Sequence, residues 1–254
     1  MSDEEAAIEI GKILIQKENE MTKKVKKTKK VKKMAVKKIV AKTNDIEAII
    51  IVDRSGSMQS IADDTVGAFN KFLKEQKAAK GKTTITHVQF DDRYEVLADA
   101  VDVSKAKEYT AATYQPRGTT ALYDAVGKTM TTAMARIEAM PEKSRPKVLV
   151  AILTDGQENA SQEYKKDTVK SLIEKSEKAG WSVVYLGVGF DQMTATALAG
   201  AMGINAIHTM TVDHTTKGMR YGGQSLCMMS NAVRTLGDVG DITSMTKHDG
   251  TDDE

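Results

Sequence analysis

Three oxygen-bearing side chains at alternate positions, Asp53, Ser55 and Ser57, directly follow the most hydrophobic stretch of the sequence. A hard cation such as Mg²⁺ binds about six oxygen atoms and tends to retain water, so two hydroxyls beside a carboxylate are suitable ligands. Gly56 separates the two serines and lets both hydroxyls turn towards one point. The same residue types also cap helix N-termini. The segment alone therefore leaves a cation site and a helix cap as equal alternatives.

Two other segments place similar side chains next to predicted secondary structure. Asp155 follows a second hydrophobic stretch, and the hydroxyls of Thr119 and Thr120 lie between Gly118 and a predicted helix. Open α/β sheets bind their ligands at the carboxyl ends of the strands, where such loops meet. The three segments together favour one oxygen-rich cation site at that edge of a sheet.

The elements that must position these residues follow from an alternation of strand and helix patterns after residue 42. Strands are predicted over residues 46–52, 83–90, 94–97, 147–154, 181–188 and 204–208. Helices are predicted around residues 66–73, over 121–139, 162–179 and 193–202, and within 217–236. This alternation is typical of a parallel sheet covered on both faces. The third strand follows the second so closely that we expect an antiparallel hairpin there.

Three motifs also occur in the order of a known family. Residues 53–58, 118–125 and 153–159 resemble the three motifs of von Willebrand factor A domains that carry a metal-ion-dependent adhesion site. The resemblance runs from about residue 45 to at least residue 208. The segment 114–125 looks most like intracellular bacterial or bacteriophage members of the family.

This resemblance implies a fold and a set of metal ligands. The fold would be an α/β, Rossmann-like open sheet, mostly parallel with one antiparallel edge strand and with helices on both faces. Ser55 and Ser57 would bind Mg²⁺ or Mn²⁺ directly, and Thr120, which the family pattern selects over its neighbour, would bind directly or through water. Asp53 and Asp155 would act largely through water.

The resemblance also implies a function. In this family the metal is a recognition element and not a catalytic one, so we expect a protein-binding module that is not an enzyme. An Asp or Glu of a protein partner would take a free coordination position on the ion. A metal-dependent hydrolase is disfavoured because the sequence shows no general base, nucleophile or further carboxylate pair beside Asp53 and Asp155.

Charge and periodicity divide the chain into four predicted parts. A short helix is expected over residues 1–20, a lysine-rich linker over 21–44, the A-type domain over 45–236 and a flexible acidic tail over 237–254. The linker holds 11 lysines and no Asp or Glu, so the remaining chain has 26 basic against 35 acidic residues, or −9 by formal count. Such a linker is either solvated or binds nucleic acid or an anionic surface through phosphate charge. A nucleic-acid-associated protein with the domain as an adaptor is thus the alternative function.

Composition bounds the cellular setting. Cys227 is the only cysteine, so an intrachain disulfide is excluded. The longest apolar run, residues 48–52, is too short to cross a membrane, and no secretory signal is visible. These features favour a reducing, intracellular location, either cytoplasmic or in a phage particle.

Other motifs carry weaker signals. The triplet of Gly127, Lys128 and Thr129 lacks the earlier glycine of a phosphate-binding loop. Gly187 and Gly189 lack the third glycine of a dinucleotide fingerprint, which predicts a tight strand-to-helix turn instead. The four histidines, including a packing or surface residue at 87, show no metal-ligand spacing.

Overall fold

The computed structural model describes residues 44–243, which belong to one structural unit that starts at Asn44. The predicted helix over residues 1–20, nearly all of the lysine-rich segment and the end of the predicted tail lie outside the described residues. Of the helices between residues 44 and 243, none combines the length and hydrophobicity that crossing a membrane requires.

A six-stranded sheet with the order β3-β2-β1-β4-β5-β6 forms the centre of the domain. Its strands are β1 (Ile46–Asp53), β2 (Thr83–Phe90), β3 (Tyr94–Asp102), β4 (Lys147–Thr154), β5 (Ser182–Val188) and β6 (Thr209–Val212). Every neighbouring pair is parallel except β2 and β3, which are antiparallel. The predicted fold, a mostly parallel sheet with one antiparallel edge strand, is therefore confirmed.

Helices cover both faces of the sheet. They are α1 (Ala62–Ala78), α2 (Leu122–Glu138), α3 (Lys166–Lys178), α4 (Gln192–Ala201) and α5 (Thr216–Leu236). Alternate residues of β1 serve the two cores: Ile50 and Val52 pack with α1 and α5, whereas Ile49 and Ile51 pack with α2, α3 and α4. The uninterrupted apolar run of β1 thus reflects burial on both faces.

Two strands differ from their predicted bounds by more than one residue. The last strand starts at Thr209, because residues 206–208 form a short 3₁₀ turn in which the Asn205 side chain accepts from the backbone of Ile207. The edge strand β3 is longer than residues 94–97. Its register against β2 is irregular around His87, and Ala100 has a φ of +49°. These two irregularities interrupt the alternation of buried and exposed side chains by which a strand is recognised in sequence.

The packed part of the chain continues past residue 236, where the predicted acidic tail starts. Val239 and Ile242 are buried in the core beneath α1 and α5. The backbone N–H of Ile242 also donates to the carbonyl oxygen of Ile207 at 2.9 Å. Nothing in the local sequence signals this packing, because two apolar residues among polar ones create no periodicity.

Candidate metal centre

Asp53 is fully buried at the carboxyl end of β1, and both of its carboxylate oxygens accept hydrogen bonds. Oδ1 accepts from the backbone N–H of Ser55 at 2.7 Å, and Oδ2 accepts from the hydroxyl of Thr154 at 2.5 Å. The pKa of Asp53 is raised to about 6, mainly because the carboxyl group is buried; the hydrogen bonds from Thr154 and Ser55 oppose this rise, and the nearby charge of Asp155 adds to it. A cation beside this carboxylate would favour its ionised form.

The two serine hydroxyls lie between Asp53 and the carboxylate of Asp155. Oγ of Ser55 lies 3.1 Å from Oγ of Ser57, which in turn donates to Oδ1 of Asp155 at 2.6 Å. Ser55 precedes the short 3₁₀ helix Gly56–Ile61, but its side chain makes no capping hydrogen bond. The capping alternative therefore lacks its defining contact, and the hydroxyls are grouped with carboxylates instead.

Thr120 brings a third hydroxyl to the same place. A Cβ atom built on Gly156 would lie 2.7 Å from Oγ1 of Thr120 and 3.2 Å from Oδ2 of Asp53. The backbone N–H of Thr120 donates to the side chain of Asn159, and its carbonyl accepts from the Asn159 backbone. All five residues predicted to bind metal thus meet at the carboxyl edge of the sheet.

Backbone hydrogen bonds join the loop after β1 to the segment that carries Thr120, and that segment to the turn after β2. The N–H of Gly56 donates to the carbonyl of Gly118 at 3.3 Å, and the N–H of Arg117 donates to the carbonyl of Arg54 at 2.9 Å. The N–H of Ala121 donates to the carbonyl of Asp91 at 3.0 Å. These contacts hold the loop that carries Ser55 and Ser57 next to the loop that carries Thr120.

A cluster of ion pairs supports the loop after β1, which contains Arg54. The buried carboxylate of Asp91 accepts from the guanidinium groups of both Arg54 and Arg117, and Arg54 also pairs with Glu95. Arg54 is buried, whereas the Arg117 side chain is about half exposed at the rim, at 47%. Asp91 and Glu95 lie outside the ligand motifs, so no motif in the sequence indicates their role.

His214 is a residue of this site that the sequence analysis set aside. Its Nε2 atom lies 3.4 Å from Oδ2 of Asp155. Metal-ligand spacing in the sequence does not reveal it, because the residue follows β6 while Asp155 follows β4. His214 lies two residues after β6, but the last strand was predicted to end at residue 208, so this position gave no signal.

The donor chemistry fits a hard dication. Three hydroxyls and two carboxylates offer only oxygen, and the contacts of 2.6 and 3.1 Å between donors resemble the spacing of about 3 Å between neighbouring ligands of Mg²⁺. Among residues 44–243, no three His, Cys, Asp or Glu side chains are grouped so that they could hold a metal ion.

The remaining candidates have structural explanations. Gly127 lies inside α2 against the ring of Tyr164. A Cβ atom at residue 127 would lie only 2.1 Å from that ring, so the glycine is needed for packing. His87 is buried and stacks on Phe69 with ring centroids 3.9 Å apart. Cys227 is buried as well, and burial raises the pKa of its thiol to about 12, which disfavours the thiolate form.

Comparisons with known proteins agree with this fold. The family model described as von Willebrand factor type A domain matches residues 47–220. No curated protein matches the chain. Among solved structures, a von Willebrand factor type A protein from Catenulispora acidiphila aligns with a TM-score of 0.52 at 16% identity, over 73% of this chain and 42% of that one.

Two pilus proteins share the fold as well. The domain of the pilus tip protein Mfa5 from Porphyromonas gingivalis aligns with a TM-score of 0.52 at 10% identity, over 72% of this chain and 95% of that one. The pilus adhesin SpaC from Lactobacillus rhamnosus GG aligns with a TM-score of 0.56 at 12% identity, over 77% and 30%. The match thus spans less than half of the Catenulispora and SpaC chains.

Proposed function

Because this chain belongs to the von Willebrand factor type A domain family, we propose that it is a binding module, not an enzyme, that captures an acidic residue of a protein partner through a divalent cation. The observation that carries this proposal is the meeting of three hydroxyls and two carboxylates at one edge of the sheet.

The hydroxyls of Ser55, Ser57 and Thr120 and the carboxylates of Asp53 and Asp155 would hold Mg²⁺ or Mn²⁺. Oγ of Ser57 already lies 2.6 Å from Asp155, so the serine and the carboxylate need little rearrangement to share an ion. A bound dication supplies an electrophilic coordination position for one oxygen of an incoming carboxylate.

The charges at the site favour an acidic partner. Asp53 and Asp155 are the only carboxylates among the five proposed ligands, so with a dication they leave the centre neutral. An incoming Asp or Glu is then not repelled, and its contact is stronger where water is partly excluded. Arg54 and Arg117 pair with Asp91 and Glu95, so this cluster is neutral by formal charge, and the half-exposed guanidinium of Arg117 remains at the rim as a hydrogen-bond donor. We expect Arg117 and the adjacent loops to select which acidic segment fits.

Two of the structural relatives support a binding role by their names. Mfa5 is a pilus tip protein and SpaC is a pilus adhesin. Both use the same fold at low identity, so the analogy extends to the class of function and not to a particular partner.

The test is whether the full chain captures its protein partner only when a divalent metal ion is present. Immobilised wild type, Ser55→Ala and Ser171→Ala are compared in Mg²⁺ and in chelator; Ser171 is an exposed serine of α3 and a matched control. We expect capture by wild type and Ser171→Ala in Mg²⁺ only, and no capture by Ser55→Ala. Changing the partner's acidic residue to its amide should abolish binding. Undiminished capture in chelator and by Ser55→Ala would show that binding uses another surface.

A further inference from the structure

We propose that His214 is a positioning residue that orients Asp155 for cation binding, an inference that rests on the metal centre proposed above. The two carboxylate oxygens of Asp155 face different neighbours. Oδ1 accepts from the hydroxyl of Ser57 at 2.6 Å, whereas Oδ2 lies 3.4 Å from Nε2 of His214. The imidazole therefore contacts the oxygen that is turned away from Ser57.

The order of the strands explains how the imidazole reaches this carboxylate. His214 follows β6 and Asp155 follows β4, while β5 lies between these two strands. At the end of β5 the chain carries Gly189, where a Cβ atom would lie 3.2 Å from Cβ of His214. A side chain at residue 189 would take the space beside the imidazole, so the glycine opens the path across β5.

The backbone around His214 is held in place on both sides. The N–H of Gly189 donates to the carbonyl of Val212 at 2.8 Å, immediately before the Asp213–His214 segment. The next residue, Thr215, caps α5 by accepting from the N–H of Gly218 at 3.0 Å. Gly189 itself has a φ of +72°, a conformation that disfavours other residues. The backbone that carries His214 is thus held in place by the fold.

The contact has the form of an outer partner that orients a carboxylate of the metal site, whether that carboxylate would meet the ion directly or through water. Such partners restrict the rotation of the ligand, and their loss typically weakens metal binding by about 10-fold to 100-fold. The 3.4 Å separation exceeds the usual N–H···O distance by about 0.4 Å, so a small rotation of the imidazole allows Nε2–H to donate. The Asp155 side chain is almost fully buried, at 4% exposed, which leaves it few alternative partners.

The experiment measures Mn²⁺ and Mg²⁺ affinity of the full chain by calorimetry. We expect His214→Ala to bind both ions at least about tenfold more weakly than wild type. His214→Gln should recover most of the affinity, because its amide N–H occupies the place of Nε2–H. His208→Ala is the matched control, since His208 faces Glu177 at the opposite edge of the sheet. The melting temperatures of all variants in chelator show whether the fold is intact.

The outcomes separate this inference from the function it rests on. Wild-type affinity in His214→Ala, with metal still bound, would overturn the positioning role and leave the metal centre in place. Nitrogen coupling from the imidazole in the electron paramagnetic resonance spectrum of bound Mn²⁺ would also overturn it, because His214 would then be a direct ligand. If the wild-type chain binds neither ion, the proposed function fails together with this inference.

Discussion

The hydroxyl of Ser57 donates a hydrogen bond to Oδ1 of Asp155 at 2.6 Å, although 98 residues separate the two in the sequence. Ser57 lies in the loop after β1, and Asp155 in the loop after the neighbouring β4. The hydroxyl and the carboxylate are therefore brought together by the sheet. A cation that binds here finds its oxygen ligands already adjacent, which lowers the entropic cost of assembling the site.

Removal of the Ser57 hydroxyl should weaken metal binding. We expect Ser57→Ala to bind Mg²⁺ or Mn²⁺ at least about tenfold more weakly by calorimetry, because one oxygen ligand is lost and Asp155 loses its donor. Asp53→Ala should also weaken binding, whereas Ser171→Ala should not. Equal affinity in Asp53→Ala and wild type would contradict the assignment.

Gly156→Ala tests whether a methyl group fits between Thr120 and Asp53 without disturbing metal binding. The added Cβ would lie 2.7 Å from Oγ1 of Thr120 and 3.2 Å from Oδ2 of Asp53, so the hydroxyl or the loop must shift. We expect a loss of metal affinity of about tenfold or more, with a native circular dichroism spectrum. Gly200→Ala in α4 is the control, because its Cβ meets no atom within 4 Å. Unchanged affinity in Gly156→Ala would mean that Thr120 and Asp53 lie outside the metal site.

Removal of the metal should lower thermal stability by a predictable amount. An ion that binds only the folded state, at a concentration about 100 times its Kd, stabilises that state by about 2.7 kcal/mol. We expect the melting temperature of the wild type to rise with Mg²⁺ and to return on addition of chelator. Ser57→Ala should show a much smaller rise at the same concentration. An equal rise in both proteins would indicate that the ion binds elsewhere.

His87 should make the domain sensitive to acid. It is fully buried, and burial lowers its pKa from 6.5 to about 3, so the unfolded chain binds a proton that the folded domain does not. Its contribution to stability is complete above pH 6.5 and is lost as the pH falls from 6.5 towards 3, by about 1.4 kcal/mol per pH unit.

The measurement is urea unfolding of wild type and His87→Phe at pH 7 and pH 5. The aromatic replacement retains the stacking on Phe69 but cannot titrate. We expect the wild type to lose about 2 kcal/mol more than the variant between these two pH values. Equal losses of stability in wild type and variant would show that His87 takes up a proton in the folded domain by pH 5.

A fragment of residues 44–243 should fold alone, because its strands and helices already cover both faces of the sheet. A fragment that ends at residue 236 should be less stable by a few kcal/mol, since it lacks the buried Val239 and Ile242. Urea unfolding of both fragments, compared with the full chain, measures the difference. Equal stability of the two fragments would place residues 237–243 outside the core.

Much of the fold could be predicted because its signals are local. The apolar run at the start of the domain indicates a strand buried on both faces, and the structure places Ile49 and Ile51 on one face and Ile50 and Val52 on the other. The antiparallel hairpin followed from the short connection after β2. The bounds of β3 and β6 did not follow, because an irregular register at His87 and a 3₁₀ turn are decided by neighbouring strands.

The candidate ligands were also predictable, because Asp53, Ser55 and Ser57 share one loop and the other two belong to recognisable motifs. The sequence by itself therefore determined which side chains could hold a cation. Only the tertiary structure decided that His214 joins them, since its contact with Asp155 depends on the order of β4, β5 and β6 and on the space left by Gly189. Such a contact depends on how distant segments pack, and no pattern of neighbouring residues encodes it.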